Sequence, residues 1–339
     1  MLSIAVTGAA SPVGAAIVRG LSSRPDLTVI AVDAQRGDAD ADWLVGDVRD
    51  PDFARRVCSS DVVVHAEVVR RSPSRADRAT RPVLRAAQAL LTAAAGMTTQ
   101  HVLVLSSAQV YGASPDHPVP MPEDQPLLQF SDDPVIDELL ELEALSARQR
   151  AVSSAPRVTV LRPAVLVAPG LETLLSRYFD APRLLVPRDG RPCWQFCHVD
   201  DLASAVAAVI EHKVDGPVTV ACDGWLETVD IERLTGARRL ELPVGLAFST
   251  AERLHRLGVT SAPASELAYT LHPWVVDASR LRAIGWSPSL DNEAALRALL
   301  SEERGRGIRR RDAAIGAAGA TVAVIGTAAL VRAARRRSS

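Results

Sequence analysis

"VTGAASPVGAAIVRGL", residues 6–21, decides how the rest of the chain is read. It follows a first apolar run, "LSIAV", and turns through small residues into a stretch of helical character. Ser11 has the chemistry of a helix N-cap, and Pro12 suits the first helical position. Such a turn leaves backbone N–H groups at a helix start, where a pyrophosphate can be held. A second apolar run ends in Asp33, about 20 residues past Gly14, the spacing of a carboxylate that accepts hydrogen bonds from an adenosine ribose and disfavours a 2′-phosphate. A plain strand–turn–helix built from small residues is the alternative. Strand, turn, helix and acid in that order favour the dinucleotide.

The pattern continues outward. "LTVIAVDA" (27–34), "DVVVHAE" (61–67), "HVLVLSS" (101–107) and "RVTVLRPAVLV" (157–167) are continuous apolar runs, as strands covered on both faces should be. Helix-like stretches such as "PDFARRVCSS" (51–60) and "RPVLRAAQALLTAAAG" (81–96) separate them. Alternation of this kind predicts an α/β fold with a doubly wound parallel sheet. Beyond about residue 167 the rhythm loosens, although "DLASAVAAVIEH" (201–212) reads as a helix and "GPVTVAC" (216–222) as a strand. The expected organisation is a dinucleotide-binding core over 1–166 with 190–225 returning to it. A substrate-side lobe is expected over 167–189 and 226–300. No internal repeat is present.

A length of 339 residues and 47% apolar residues support one large core, filled by aliphatic side chains because aromatics make up only 4%. Lys213 is the only lysine. Arginine in its place, with abundant alanine, is the coding bias of a high-GC bacterial genome and says nothing of mechanism. Cys58, Cys193, Cys197 and Cys222 lack metal-site spacing, so no metal is expected and the thiols read as small buried hydrophobes. The opening "MLSIAVTG" has no charged leader and no cleavage site, which argues against a signal peptide.

The net charge of −2 hides an asymmetry: 9 Arg and one Asp lie between Arg304 and the end, on an otherwise acidic body. Within that region a basic linker (301–312) precedes "AAIGAAGATVAVIGTAALV" (313–331), and a basic tail (332–339) follows. The central segment is 19 uncharged residues, enough at about 1.5 Å per residue to cross a bilayer core. Gly316/Ala320 and Gly319/Ala323 offer close helix–helix contacts. The expectation is a C-terminal hydrophobic helix anchoring the body at the cytoplasmic face of a membrane, with no nucleic-acid partner. An Ala-rich soluble helix on a cytoplasmic protein is the alternative.

With these motifs in order, the chain resembles the extended short-chain dehydrogenase/reductases, the NAD-dependent epimerase/dehydratase group. That family's phosphate loop, T-G-x-x-G-x-x-G, is met by Thr7, Gly8 and Gly14. "GDVRDP" (46–51), "DVVVH" (61–65), "LSSAQVYG" (105–112), "LRPAV" (161–165) and "QFCHVDDLASAV" (195–206) match further motifs, over roughly residues 1–300. The resemblance implies a Rossmann-like fold that binds NAD rather than NADP. It places the cofactor against Thr7, Gly8, Ser11, Pro12, Val13, Gly14, Asp33, Asp47, Val48, Ala66 and Pro163. It also implies a small-molecule substrate and a homodimer formed through a helix pair. Two residues depart from the pattern beside the cofactor. Ser11 replaces the middle glycine of the loop, where its hydroxyl offers a donor to phosphate. Glu67 stands where the family's "HLAA" has alanine, and a carboxylate there repels a pyrophosphate unless turned away or neutralised.

The family's catalytic groups are Ser, Tyr and Lys, the last two in P-Y-x-x-x-K-x-x-x-E. Ser107, four residues before Tyr111, holds the serine position. Anchoring the later motif on Pro134 and Glu143 puts Val135 in the tyrosine's place and Leu139 in the lysine's. No slipped alignment rescues the pair, because the residue four before Lys213 is Val209. Val135, Leu139, Leu142 and Leu145 instead form one apolar helical stripe. Asp132, Asp133, Asp137 and Glu138 gather at its N-terminal end, as the helix dipole favours. Substitute acids are Tyr111, more simply a wall residue; the cluster His198, Asp200 and Asp201, whose aspartates more simply cap a helix; and Glu123 or Asp124, more simply a solvated loop. Arg162 and Pro163 at the end of a strand keep the family pattern. Two functions stay open: a NAD-binding sensor, scaffold or subunit without the family's chemistry, or an enzyme acting on a nucleotide-sugar or hydroxysteroid-like substrate through a substitute acid/base.

Overall fold

The computed structural model describes residues 1–70, 80–152, 156–171, 178, 183–188, 190–257 and 264–310. Its centre is a seven-stranded sheet in the order β11-β6-β5-β4-β1-β2-β3, with every neighbouring pair parallel. The strands are β1 (Leu2–Thr7), β2 (Leu27–Asp33), β3 (Asp42–Val45), β4 (Val62–His65), β5 (His101–Leu105), β6 (Arg157–Pro163) and β11 (Gly216–Val220). Side chains on a strand alternate between its two faces, and here the faces feed separate cores. Ile4, Val6, Val62, Val64, Leu103 and Leu105 enter one cluster. Ala5, Val63, Val102 and Val104 enter the other. Unbroken apolar runs are what two covered faces require.

Helices α1 (Pro12–Ser22) and α5 (Val199–Glu211) cover the first face. Helices α2 (Pro51–Val57), α3 (Pro82–Ala94) and α4 (Pro134–Arg150) cover the second. Each start has a local cause. Asp50 accepts from the N–H groups of Asp52 and Phe53 at 2.9 Å and caps α2. Asp133 accepts from Val135 N–H at 2.9 Å and caps α4, while Pro12, Pro51, Pro82 and Pro134 occupy first-turn positions that need no N–H donor.

Beyond β6 the chain builds a smaller lobe from three two-stranded pairings. These are β7 (Val165–Val167) with β10 (Phe196–His198), β8 (Arg183–Pro187) with β13 (Arg238–Leu242), and β9 (Cys193–Trp194) with β12 (Leu226–Glu227). Helices α6 (Thr228–Thr235), α7 (Val244–Arg256), α8 (Ser279–Ala283) and α9 (Asn292–Arg310) complete it. The segment 313–331 expected to cross a membrane lies outside the described residues, as do 311–312 and the basic tail. Among the described residues no helix is long and apolar enough to cross a membrane.

Candidate functional site

The strand order reverses between β1 and β4, and in open α/β sheets ligands enter the crevice at the carboxyl ends of such strands. The loop leaving β1 is shaped for that role. Gly8 has φ +72°, a left-handed conformation that suits glycine. A Cβ on Gly14 would stand 2.2 Å from the carbonyl oxygen of Gly8, so only glycine lets α1 approach the loop this closely. Ser11 accepts from Gly14 N–H at 3.1 Å as the N-cap of α1. Accepting uses a lone pair and leaves its O–H available as a donor. Val13 is fully buried beneath the loop, and the first turn of α1 contains no acidic residue. The unpaired N–H groups of that turn are therefore free to meet an anion.

Neighbouring strand ends close around this loop. Thr7 donates to His65 Nδ1 (2.8 Å), while His65 Nε2 lies 3.2 Å from the carbonyl of Val83. Ala66, fully buried, donates its N–H to the Thr7 carbonyl. At the end of β2 the Asp33 carboxylate accepts from Ala34 N–H (2.7 Å) and Ala10 N–H (3.0 Å), which ties it to the phosphate loop. Its remaining lone pairs suit ribose hydroxyls. Asp47, after β3, is held by the Arg49 guanidinium at 2.7–3.1 Å. That hydrogen-bonded partner keeps its carboxyl below the usual range. Val48 beside it is buried in the second core.

Across the crevice, Ser107 follows β5 and caps the 3₁₀ turn Ala108–Tyr111 by accepting from Gln109 N–H at 3.2 Å. Tyr269 in the lobe holds the same turn by donating to the Gln109 carbonyl at 2.9 Å. Ser106 is buried, and its hydroxyl has no partner among the described residues. Tyr111 is 1% exposed. Its hydroxyl donates to the Glu123 carbonyl (3.0 Å) and accepts from Arg162 (2.8 Å), whose guanidinium carbon lies 5.0 Å from the ring centroid. Burial raises the phenol's pKa above its ordinary value, and the nearby Arg162 charge only partly opposes this. Arg162 itself forks onto Glu143 at 2.7 and 2.8 Å, both side chains being almost wholly buried. Burial alone would lower the arginine; the Glu143 pair outweighs it and keeps the guanidinium charged. Pro163 follows at the end of β6, buried against β11.

Helix α4 carries hydrocarbon at both motif positions. Leu139 is 4% exposed and belongs to the core shared with α2 and α3; Val135 packs half-buried against the same core. The acidic residues around them have structural partners. Asp137 and Glu141 pair with Arg81, and Glu138 accepts from Leu84 N–H at 3.1 Å. That last bond caps the first turn of α3, whose own N-cap, Arg81, sits at φ 45° and makes no side-chain cap.

A model of the NAD-dependent epimerase/dehydratase family matches residues 4–221. The chain belongs to that family. An uncharacterised protein of Mycobacterium tuberculosis is 29% identical over 309 residues, spanning 84% of this chain and 80% of its own. Solved structures share the fold. One is a short-chain dehydrogenase/reductase superfamily protein from Agrobacterium tumefaciens with bound NAD, with a TM-score of 0.67 at 18% identity over 91% of this chain and 99% of its own. Another is UDP-glucose 4-epimerase from Bifidobacterium longum in complex with NAD+ and UDP, with a TM-score of 0.66 at 19% identity over 90% and 99%.

Against the family pattern, the structure brings Thr7, Gly8, Ser11, Gly14, Asp33 and Ala66 together around one loop. Ser107, Tyr111 and Pro163 lie along the carboxyl ends of β5 and β6. Two of the simpler sequence readings change. Glu123 is not in a solvated loop: it is 7% exposed and accepts from Thr219 N–H (2.8 Å), the Thr219 hydroxyl (3.1 Å) and Arg280 N–H (3.1 Å). In "CHVDDLA" the N-cap is His198 rather than an aspartate, and Asp201 clamps the lobe by accepting from Ser289 N–H and hydroxyl at 2.7 and 2.6 Å. Sequence reasoning missed the Glu143–Arg162–Tyr111–Glu123 network and the Glu138 cap. The readable signal was charge on a buried helix face: Glu138 and Glu143 stand beside Leu139 and Leu142. Among the described residues no group of His, Cys, Asp and Glu could hold a metal.

Proposed function

We propose that this family member binds NAD without performing the family's acid/base chemistry, and serves as a sensor, scaffold or subunit. The observation that carries this reading is the start of α4, where Val135 and Leu139 pack as core hydrocarbon and offer no proton. Tyr111, a candidate substitute, is engaged by Arg162 and the Glu123 carbonyl. A phenol raised by burial and fixed in an interior network is a poor acid/base at neutral pH.

The residues present fit a dinucleotide: the Gly8–Gly14 contact admits no Cβ, and the first turn of α1 is free of acid. The phosphate loop would hold the pyrophosphate, Asp33 the adenosine ribose, and Asp47 and Val48 the adenine. Ser107 and Pro163 would border the nicotinamide. Bound NAD supplies a hydride acceptor. The second reading, an enzyme on a nucleotide-sugar or hydroxysteroid-like substrate, draws support from Ser107 standing at the family's serine position.

The full-length protein, titrated calorimetrically with NAD, is expected to bind. Incubated with NAD and nucleotide-sugars, it is expected to leave the nicotinamide absorbance unchanged. Turnover that is lost in Ser107→Ala or Tyr111→Phe would establish the second reading instead. We further propose membrane association through 313–331 from the cytoplasmic face, and a homodimer. Fractionation of the full chain tests the first; a protein found wholly in the soluble fraction refutes it. Sedimentation tests the second; a monomer at micromolar concentration refutes it.

A further inference from the structure

Besides Asp33, which the N–H groups of Ala10 and Ala34 already hold, the dinucleotide loop has a further acidic neighbour. Glu67 follows β4 directly after the buried Ala66, and its chain runs alongside Gly8. A Cβ built on Gly8 would stand 2.8 Å from Glu67 Cγ and 3.2 Å from Glu67 N. The half-buried side chain thus lies against the loop whose N–H groups would take a pyrophosphate. No acid in the first turn of α1 opposes that anion, so Glu67 is the carboxylate contributed from the neighbouring strand. Arg49, on the turn after β3, is held by Asp47.

We propose that Glu67 is an affinity-setting residue that selectively weakens pyrophosphate-bearing ligands. This rests on the NAD-binding reading and deepens it. A dinucleotide site with a fixed opposing charge binds loosely enough for its occupancy to follow cofactor concentration, as a sensor requires. The effect is on phosphate and not on the nucleoside, since like charges repel while ribose hydroxyls and a carboxylate do not.

The test is a calorimetric titration of the full-length wild type and Glu67→Gln, each with NAD, ADP and adenosine, after thermal melts confirm folding. Glu67→Gln keeps the shape and removes the charge, and is expected to tighten NAD and ADP about tenfold while leaving adenosine unchanged. Unchanged NAD and ADP binding in Glu67→Gln overturns the proposal. So does weaker binding, which would make the carboxylate a ribose ligand, or an equal change for adenosine. Folded proteins that bind no dinucleotide in either form would instead remove the NAD-binding reading, and the proposal with it.

Discussion

The loop after β1 and the first turns of α4 have fared differently within one family fold. At the loop, recognition is carried by backbone N–H groups and by missing side chains. Its requirements are Gly8 in a left-handed conformation, Gly14 against the Gly8 carbonyl, and a capped helix start. At α4, the family's chemistry resides in two side chains, and replacing them by Val135 and Leu139 leaves a helix that still packs, caps and pairs. A site written in backbone geometry is hard to lose without losing the fold. A site written in two side chains can vanish while the helix beneath it is strengthened.

The largest effect should come from the buried pair that fastens α4 to β6. Arg162→Met leaves Glu143 buried without its fork partner and releases Tyr111, and should cost about 3–5 kcal/mol in denaturant unfolding. A loss below about 1 kcal/mol would mean that water reaches Glu143 and that this side of the crevice is open. Next, Leu139→Lys restores the family's lysine at a position that is core here. It should lose roughly 3 kcal/mol, since a charge replaces a buried methyl-rich side chain without a partner. A neutral outcome would show that the position faces the crevice, and the contrast between the regions would fail.

Gly14→Ala probes the other region. The added methyl cannot fit 2.2 Å from the Gly8 oxygen, so the loop must shift, and NAD affinity should fall at least about a hundredfold, near 2.7 kcal/mol. The smallest effect concerns pH. Burial raises the Glu138 carboxyl above its ordinary value of 4.5, although bonds from the α3 N-terminus pull it back. A carboxyl raised on folding takes up its proton earlier in the native state, so its contribution makes stability rise as pH falls through the folded pKa toward 4.5. Glu138→Gln should remove that part of the slope and leave the remainder, Glu123 included, unchanged. Equal slopes in wild type and variant would contradict the elevation of this carboxyl by burial.

Much of this architecture is legible in the order of residues alone. Apolar runs 27–34, 61–67 and 101–107 point to the parallel sheet because strands covered on both faces leave no polar alternation to misread. Ser11 and Pro12 announce the start of α1, and the single lysine makes the missing pair certain. What stays hidden depends on long-range partners. Glu123 looks like a loop acid until Thr219 and Arg280, far along the chain, arrive to bury it. Glu138 looks like dipole compensation for its own helix until α3 presents Leu84 N–H. Asp201 reads as a helix cap until Ser289 folds back onto it. Local pattern fixes elements; partners distant in sequence assign the charges.

Binding without chemistry is tested most directly when both are followed in one sample. Full-length protein saturated with NAD, as judged by calorimetry, is mixed with UDP-sugars while nicotinamide absorbance and sugar products are followed, alongside Ser107→Ala and Tyr111→Phe. The expected result is saturable NAD binding, no reduced nicotinamide and no altered sugar in any of the three proteins. Turnover by the wild type that either substitution abolishes would contradict it.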